Sequence, residues 1–170
     1  MVEHQEIKKW HPVYTQSRAE KKAYQALLSK DIEAYLPLQR QLKQWSDRKK
    51  WVDEPLLRSY LFVHINQRQQ TEVLMTSGIS RFLYFSGKIA TMPDRQISDL
   101  KLLLASPYEL KITEEDLRPG ELVEIKAGPL KGIRAEIIEY RSHKQLLLRL
   151  GDMQRSIIVN VSAAFLERIH

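Results

Sequence analysis

Five cations and two indoles fall within twelve residues of this chain: Arg40, Lys43, Trp45, Arg48, Lys49, Lys50 and Trp51. Cations attract phosphates, and an indole offers a flat face on which an unpaired base can stack. Residues of these types at this spacing bind nucleic acid; they do not make or break bonds. Arg18, Lys21 and Lys22 stand at the start of a predicted helix and extend the same basic surface, since a helix N-terminus itself favours phosphate. The competing reading is a solvated hairpin whose charges only guard an edge against aggregation.

Nothing elsewhere in the chain suggests catalysis. There is no cysteine, so no disulfide, thiolate ligand or thiol nucleophile is available. The histidines (His4, His11, His64, His143 and His170) have no ligand-like spacing. Lys126 and Lys131 flank Gly128, but neither their spacing nor the residue that follows makes a phosphate-binding loop. Nucleophile-elbow and paired-carboxylate patterns are likewise missing from the sequence. The expectation is a protein that is not an enzyme and has no metal or cofactor.

The net charge of +6 is unevenly placed. Residues 1–105 carry 17 Lys/Arg against 11 Asp/Glu, while residues 106–170 carry 10 of each. The first part therefore owns the positive field, which suits nucleic acid or an acidic protein as a neighbour. Hydrophobic content of 43% is ordinary for a folded protein. Residues 1–6 hold no apolar signal core and no run reaches membrane-spanning length, so a soluble, cytoplasmic chain with no membrane partner is expected.

The positioning elements follow from periodicity. Lys8 to Thr15 reads as a strand. Ser17 with Glu20 makes a capping box for a helix running to about Ser29, with Ala19, Ala23, Ala26 and Leu27 on one face. Glu33 to Trp45 and Arg48 to Pro55 read as two strands joined near Ser46-Asp47. The apolar run Leu56 to Ile65 predicts a central strand buried on both faces. A helix is predicted over about Gln67 to Thr76, then a hairpin about Ser86-Gly87, then a helix from Pro93-Asp94 with Ile97, Leu100 and Leu104 aligned. Ser106 to Leu117 reads as a linker. Beyond it, Val123 and Ile125, then Ile133, Ala135 and Ile137, alternate as strands with one buried face. Residues 133–150 could also lie on a helix, since Ile133, Ile137 and Tyr140 share a helical face, but Ile157-Ile158-Val159 favours strand.

Pro119-Gly120-Glu121-Leu122-Val123-Glu124-Ile125-Lys126-Ala127-Gly128-Pro129-Leu130-Lys131-Gly132 resembles the KOW motif, which opens a small SH3-like barrel in transcription and ribosomal proteins. Glu54-Pro55-Leu56-Leu57-Arg58-Ser59-Tyr60-Leu61-Phe62-Val63 resembles the second anchor of the NusG family of transcription elongation factors. Its two ends look closest to the RfaH-like factors of bacterial surface-polysaccharide operons. Arg58-Ser59 departs from the family's usual Pro-Gly or Pro-Asn, Ala135 stands at a KOW glycine, and Leu130 replaces a phenylalanine. The resemblance implies an α+β protein: an NGN-type α/β sandwich with an antiparallel sheet over residues 1–105, a linker over 106–117, and a five-stranded SH3-like β-barrel (KOW) over 118–170.

The same resemblance implies function. The first domain would dock Tyr14, Leu57, Tyr60 and Phe62 on the clamp helices of RNA polymerase, with Gln69, Gln70 and Thr71 reaching across the cleft. The basic cluster would meet non-template DNA or nascent RNA. Leu130, Ile157 and Val159 would recruit a ribosomal protein or termination factor. The implied outcome is a monomeric, operon-specific factor that suppresses pausing or termination. The alternative is a KOW protein that binds ribosomes or RNA in translation or ribosome assembly.

Overall fold

A computed structural model describes residues 7–140 and 143–170; residues 1–6, read above as lacking a signal core, lie outside them. The chain divides into two compact units, Met1–Asp94 and Arg95–His170.

The first unit is built on a four-stranded antiparallel sheet. Its strands are β1 (Lys9–Thr15), β2 (Glu33–Tyr35), β5 (Tyr60–Ile65) and β6 (Ile79–Phe82), in the order β2-β5-β1-β6. Val13, Leu61, Val63, Ile65 and Phe82 form one core with Ala23 and Leu27 of α1 (Glu20–Ser29) and Val73 of α2 (Gln70–Leu74). Strand β5 is central and buried on both faces, with only His64 half-buried, but it begins at Tyr60: Leu56 to Ser59, read as its first residues, form a turn instead. Among the described residues, strands β3 (Leu38–Gln44) and β4 (Lys49–Pro55) pair only with each other and form a separate hairpin. A smaller hairpin, β7 (Tyr84–Phe85) and β8 (Lys88–Ile89), turns at Ser86-Gly87 as expected.

Two local expectations fail here. Ser17 does not cap α1: Ala19 is the cap residue and no side chain caps it. Arg18 adopts φ +59°, and the Glu20 carboxylate instead accepts the Ser59 N–H at 2.9 Å. The part-buried Ser59 N–H in the β4–β5 turn takes this carboxylate in place of a local cap, since a backbone donor shielded from water is costly to leave unpaired. The predicted strand Glu33 to Trp45 is two strands, broken at Leu36-Pro37, where proline has no N–H for a ladder. The 3-10 turn Gln67–Gln69 ahead of α2 has an unforeseen capping box: Asn66 and Gln69 bond each other's backbone N–H groups.

His11 gives the first unit a pH response. It is buried, with Nδ1 2.9 Å from the Ala90 carbonyl oxygen. Desolvation is the larger influence and holds its pKa below the ordinary histidine value; the Ala90 bond opposes this, while Lys9 and His64 add to it. The unfolded chain then binds the proton more readily. Its contribution is complete above about pH 6.5 and is lost as pH falls below that value. The melting temperature of the unit is expected to drop between about pH 7 and pH 5, and to drop less steeply in His11→Leu. Equal slopes would show that His11 does not carry the effect.

The second unit takes all but the first residue of α3 (Asp94–Ala105), whose buried residues are Ile97, Leu100 and Leu103; the inward leucine is 103, not 104. Its strands are β9 (Lys111–Thr113), β10 (Glu121–Ile125), β11 (Arg134–Tyr140), β12 (His143–Arg149), β13 (Ser156–Val159) and β14 (Leu166–Arg168). They form one antiparallel sheet in the order β14-β10-β11-β12-β13-β9. Two expectations change. The stretch read as a linker supplies β9, which pairs Ile112 with Ile157. Residues 118–170 hold the five expected strands, to which β9 adds a sixth, but no pairing among the described residues closes the sheet into a barrel. Arg134–Tyr140 and His143–Arg149 are both strand, so the helical option for this region is not taken.

The sheet buries side chains on both faces. Val123, Ile125, Ala135, Leu146, Ile157 and Val159 fill one core. Ile138, Leu147 and Ile158 form a second cluster with Leu117 on the other side. Hence Ile138 is buried where alternation from Ile133 favoured Ile137. Gly128, at φ +83°, makes the turn after β10.

Candidate nucleic-acid and protein interface

The β3–β4 hairpin is a two-residue-period ribbon, so neighbouring side chains point to opposite faces. The register pairs Arg40 with Asp53, Leu42 with Trp51 and Gln44 with Lys49 on one face. It pairs Gln39 with Glu54, Gln41 with Val52 and Lys43 with Lys50 on the other. The cluster that looks continuous in sequence is therefore split. On the first face the Arg40 guanidinium lies 5.1 Å from the Trp51 ring centroid. On the second, Lys43 is ion-paired with Glu54.

Arg48 and Trp45 close the tip, where the Trp45 N–H donates to the Arg48 carbonyl at 2.7 Å. Both indoles stand in solvent, Trp45 54% and Trp51 55% exposed. Lys21 reaches the base of the hairpin and donates to the Asp53 carbonyl at 2.6 Å. That bond ties the first turn of α1 to the ribbon. Arg18 and Lys22 are exposed beside it in sequence.

The second feature lies on the face of the main sheet opposite the helices α1 and α2. Register puts Tyr14 opposite Tyr60 and Pro12 opposite Phe62, with Tyr35 on the far side of Phe62. The Tyr14 and Tyr60 rings are 4.6 Å apart, Tyr35 stacks on Phe62 at 6.5 Å, and Trp10 stacks on His64 at 4.8 Å. Burial pushes the Tyr35 phenol up to about 12. Of the four expected docking residues, three share this face. Leu57 sits in the β4–β5 turn, its carbonyl accepting the Tyr60 N–H at 3.3 Å. Tyr14 is half-buried, whereas Tyr60 is 4% and Phe62 0% exposed, so Phe62 is a core residue in this state.

Arg81 was not singled out from the sequence. Its Cζ lies 4.5 Å from the Tyr14 ring centroid. Strict alternation along β6 hides it, because the β1–β6 register shifts between Tyr14 and Thr15 and so sets Arg81 opposite Tyr14.

The remaining expected residues are less available. Gln69 is spent in the capping box with Asn66, Gln70 is half-buried and Thr71 is exposed. Leu130, Ile157 and Val159 are buried core of the second unit, so in this state they offer a partner no surface. No cluster of metal-ligating side chains occurs among the described residues, and no helix of theirs is long and apolar enough to cross a membrane.

The model of a family described as "Transcription termination factor nusG" matches residues 8–101. A solved structure titled "Domain interaction in Thermotoga maritima NusG" is similar at 21% identity, covering 96% of this chain and 98% of that one, with a TM-score of 0.53. A structure of an MjSpt4:Spt5 complex, conformation A, matches at 20% identity over 94% of this chain and 97% of that one, with a TM-score of only 0.29. The first of these supports a shared fold; the second is below that level. No curated protein matches the chain in sequence.

Proposed function

The chain belongs to the NusG family of transcription factors, a family not of enzymes, and from that premise we propose that it acts as an elongation factor on RNA polymerase. The first unit docks on the polymerase clamp helices and the bound factor suppresses pausing or termination. The observation that carries this reading is the Tyr14–Tyr60 pair on the sheet face away from α1 and α2, with Arg81 laid over it. Aromatic anchors bury much area at low entropic cost and dominate interfaces. We read the factor as operon-specific and RfaH-like, from the Glu54-Pro55-Leu56 and Tyr60-Leu61-Phe62-Val63 ends of its anchor segment. Strands β10 to β14 we read as the SH3-like KOW module, which recruits a second partner.

Affinity purification of the full chain tests the assignment. Polymerase subunits are expected in the eluate. Ribosomal particles without polymerase would instead support a translational KOW protein and overturn the proposal.

The basic hairpin contributes nucleic-acid affinity on the same complex. Replacing Arg48, Lys49 and Lys50 together by serine is expected to weaken binding to paused elongation complexes. Each lost phosphate contact should remove roughly 0.7–0.9 from the slope of log K against log salt. An unchanged slope would show that the three cations are only solvated.

A further inference from the structure

A cavity of about 200 Å³ lies in the second unit, between α3 and the strands β10, β11 and β12. Leu100 and Leu103 of α3 line it on one side, and Leu122, Leu147 and Leu148 line it on the other. Two hydrogen bonds hold the helix in place: Arg95 Nη2 donates to the Gly132 carbonyl at 2.7 Å, and Gln96 Nε2 donates to the Arg149 carbonyl at 2.9 Å. Leu122 is 51% exposed, so this is a cleft that a ligand can enter rather than a sealed void. Apolar walls with no atoms against them forfeit dispersion contacts and favour an apolar occupant. We propose that the cleft binds a small apolar amine, a function separate from polymerase docking.

The polar groups of the cleft select the amine, because their donors are already spent. Arg149 is ion-paired with Glu136 at 2.7 Å and also donates to the Leu117 carbonyl at 2.8 Å. Glu136 accepts the Gly120 N–H at 3.0 Å as well. Arg134 is paired with Glu124 at 3.3 Å. The Gln96 amide gives its N–H to Arg149, and its oxygen is buried without a partner. Asp99, three residues further along α3, is half-buried; its carboxylate accepts no hydrogen bond and makes no ion pair among the described residues. The groups left unmatched are therefore acceptors.

Asp99 carries the recognition, since the Gln96 oxygen is shielded from solvent. Burial pushes the Asp99 carboxyl up, and Arg95 opposes this from a distance. Arg95 is exposed and bonded to the Gly132 carbonyl, so it screens the Asp99 charge without filling its lone pairs. An ammonium group would fill them, and charge-assisted hydrogen bonds are roughly twice as strong as neutral ones. A hydroxyl supplies a weaker donor, and a carboxylate would be repelled. At ~30 Å³ for each water-sized group, the cavity holds a ligand of roughly seven non-hydrogen atoms. The leucines cover its alkyl part.

The test is an amide chemical-shift titration of the full chain with hexylamine, which has that size, and with hexan-1-ol and hexanoate at the same concentrations. Hexylamine is expected to give saturable shifts at Gln96, Asp99, Leu122 and Leu148, with a dissociation constant of about millimolar for so small a ligand. Hexan-1-ol should bind several-fold more weakly and hexanoate not at all. Asp99→Asn keeps the side-chain volume and should weaken hexylamine about tenfold. Leu122→Ala, at a half-exposed position, should keep the fold and weaken it about threefold. Shifts that spread over the chain without saturating would overturn the site. Hexan-1-ol binding as tight as hexylamine, or an affinity for hexylamine unchanged in a folded Asp99→Asn, would overturn the choice of an amine. Hexanoate binding tighter than hexylamine would overturn it too, and would place recognition on Arg134 or Arg149.

Discussion

Tyr14→Ala combined with Tyr60→Ala is expected to abolish co-purification with RNA polymerase while the first unit remains folded. Truncating a buried aromatic anchor at an interface costs about 2 kcal/mol or more, which is roughly 30-fold in affinity for each residue. The two rings touch at 4.6 Å, so their losses will not add simply. Tyr60 is also nearly buried within the chain, and its truncation carries a folding cost of its own. Tyr60→Phe separates the effects: it keeps the ring and its packing, and its polymerase binding should stay close to that of the unaltered protein. Arg81→Ala should weaken binding less, since its removal leaves both rings in place. A folded double variant that still captures polymerase would refute the docking face.

Phe62→Ala is expected to have the largest effect on stability. The side chain is fully buried at the centre of β5, between β1 and β2, and stacked with Tyr35. Removing such a ring costs about 3–5 kcal/mol through lost transfer energy and the cavity left behind. That is a large share of the ~5–15 kcal/mol that holds a typical domain together. The melting temperature of the first unit should fall by roughly 15 °C or more, or the unit should fail to fold. Calorimetry would read this, and Trp45→Ala, at the exposed hairpin tip, should move it by no more than about a degree or two. A shift of only a few degrees in Phe62→Ala would mean that β5 is not the keystone of the sheet. Any loss of polymerase binding in Phe62→Ala follows from unfolding, which is why Tyr14 and Tyr60 are the informative positions.

The sequence by itself determined the elements that local chemistry dictates. A strongly apolar run is best satisfied by burial on both sides, so Leu56 to Ile65 marked the central strand, though the strand itself begins at Tyr60. The turn at Ser86-Gly87 follows from its own residues, because glycine at positive φ needs no help from distant residues. The basic ribbon was legible as composition, since charge and indoles do not depend on context to be what they are. Only the tertiary structure decided how these pieces face each other. Register divided the ribbon's cations between two faces, a shift in the β1–β6 ladder brought Arg81 to Tyr14, and Glu20 left its cap to serve Ser59. Gly120 is ordinary in the sequence, yet a Cβ there would collide with the Ile137 carbonyl oxygen. The same holds for Leu130, Ile157 and Val159, whose types suit a surface hot spot or a core equally well. Periodicity reports which residues seek burial, because that preference belongs to the side chain. What buries them, and which polar group meets which, depends on atoms far away in the chain, and no local pattern carries that information.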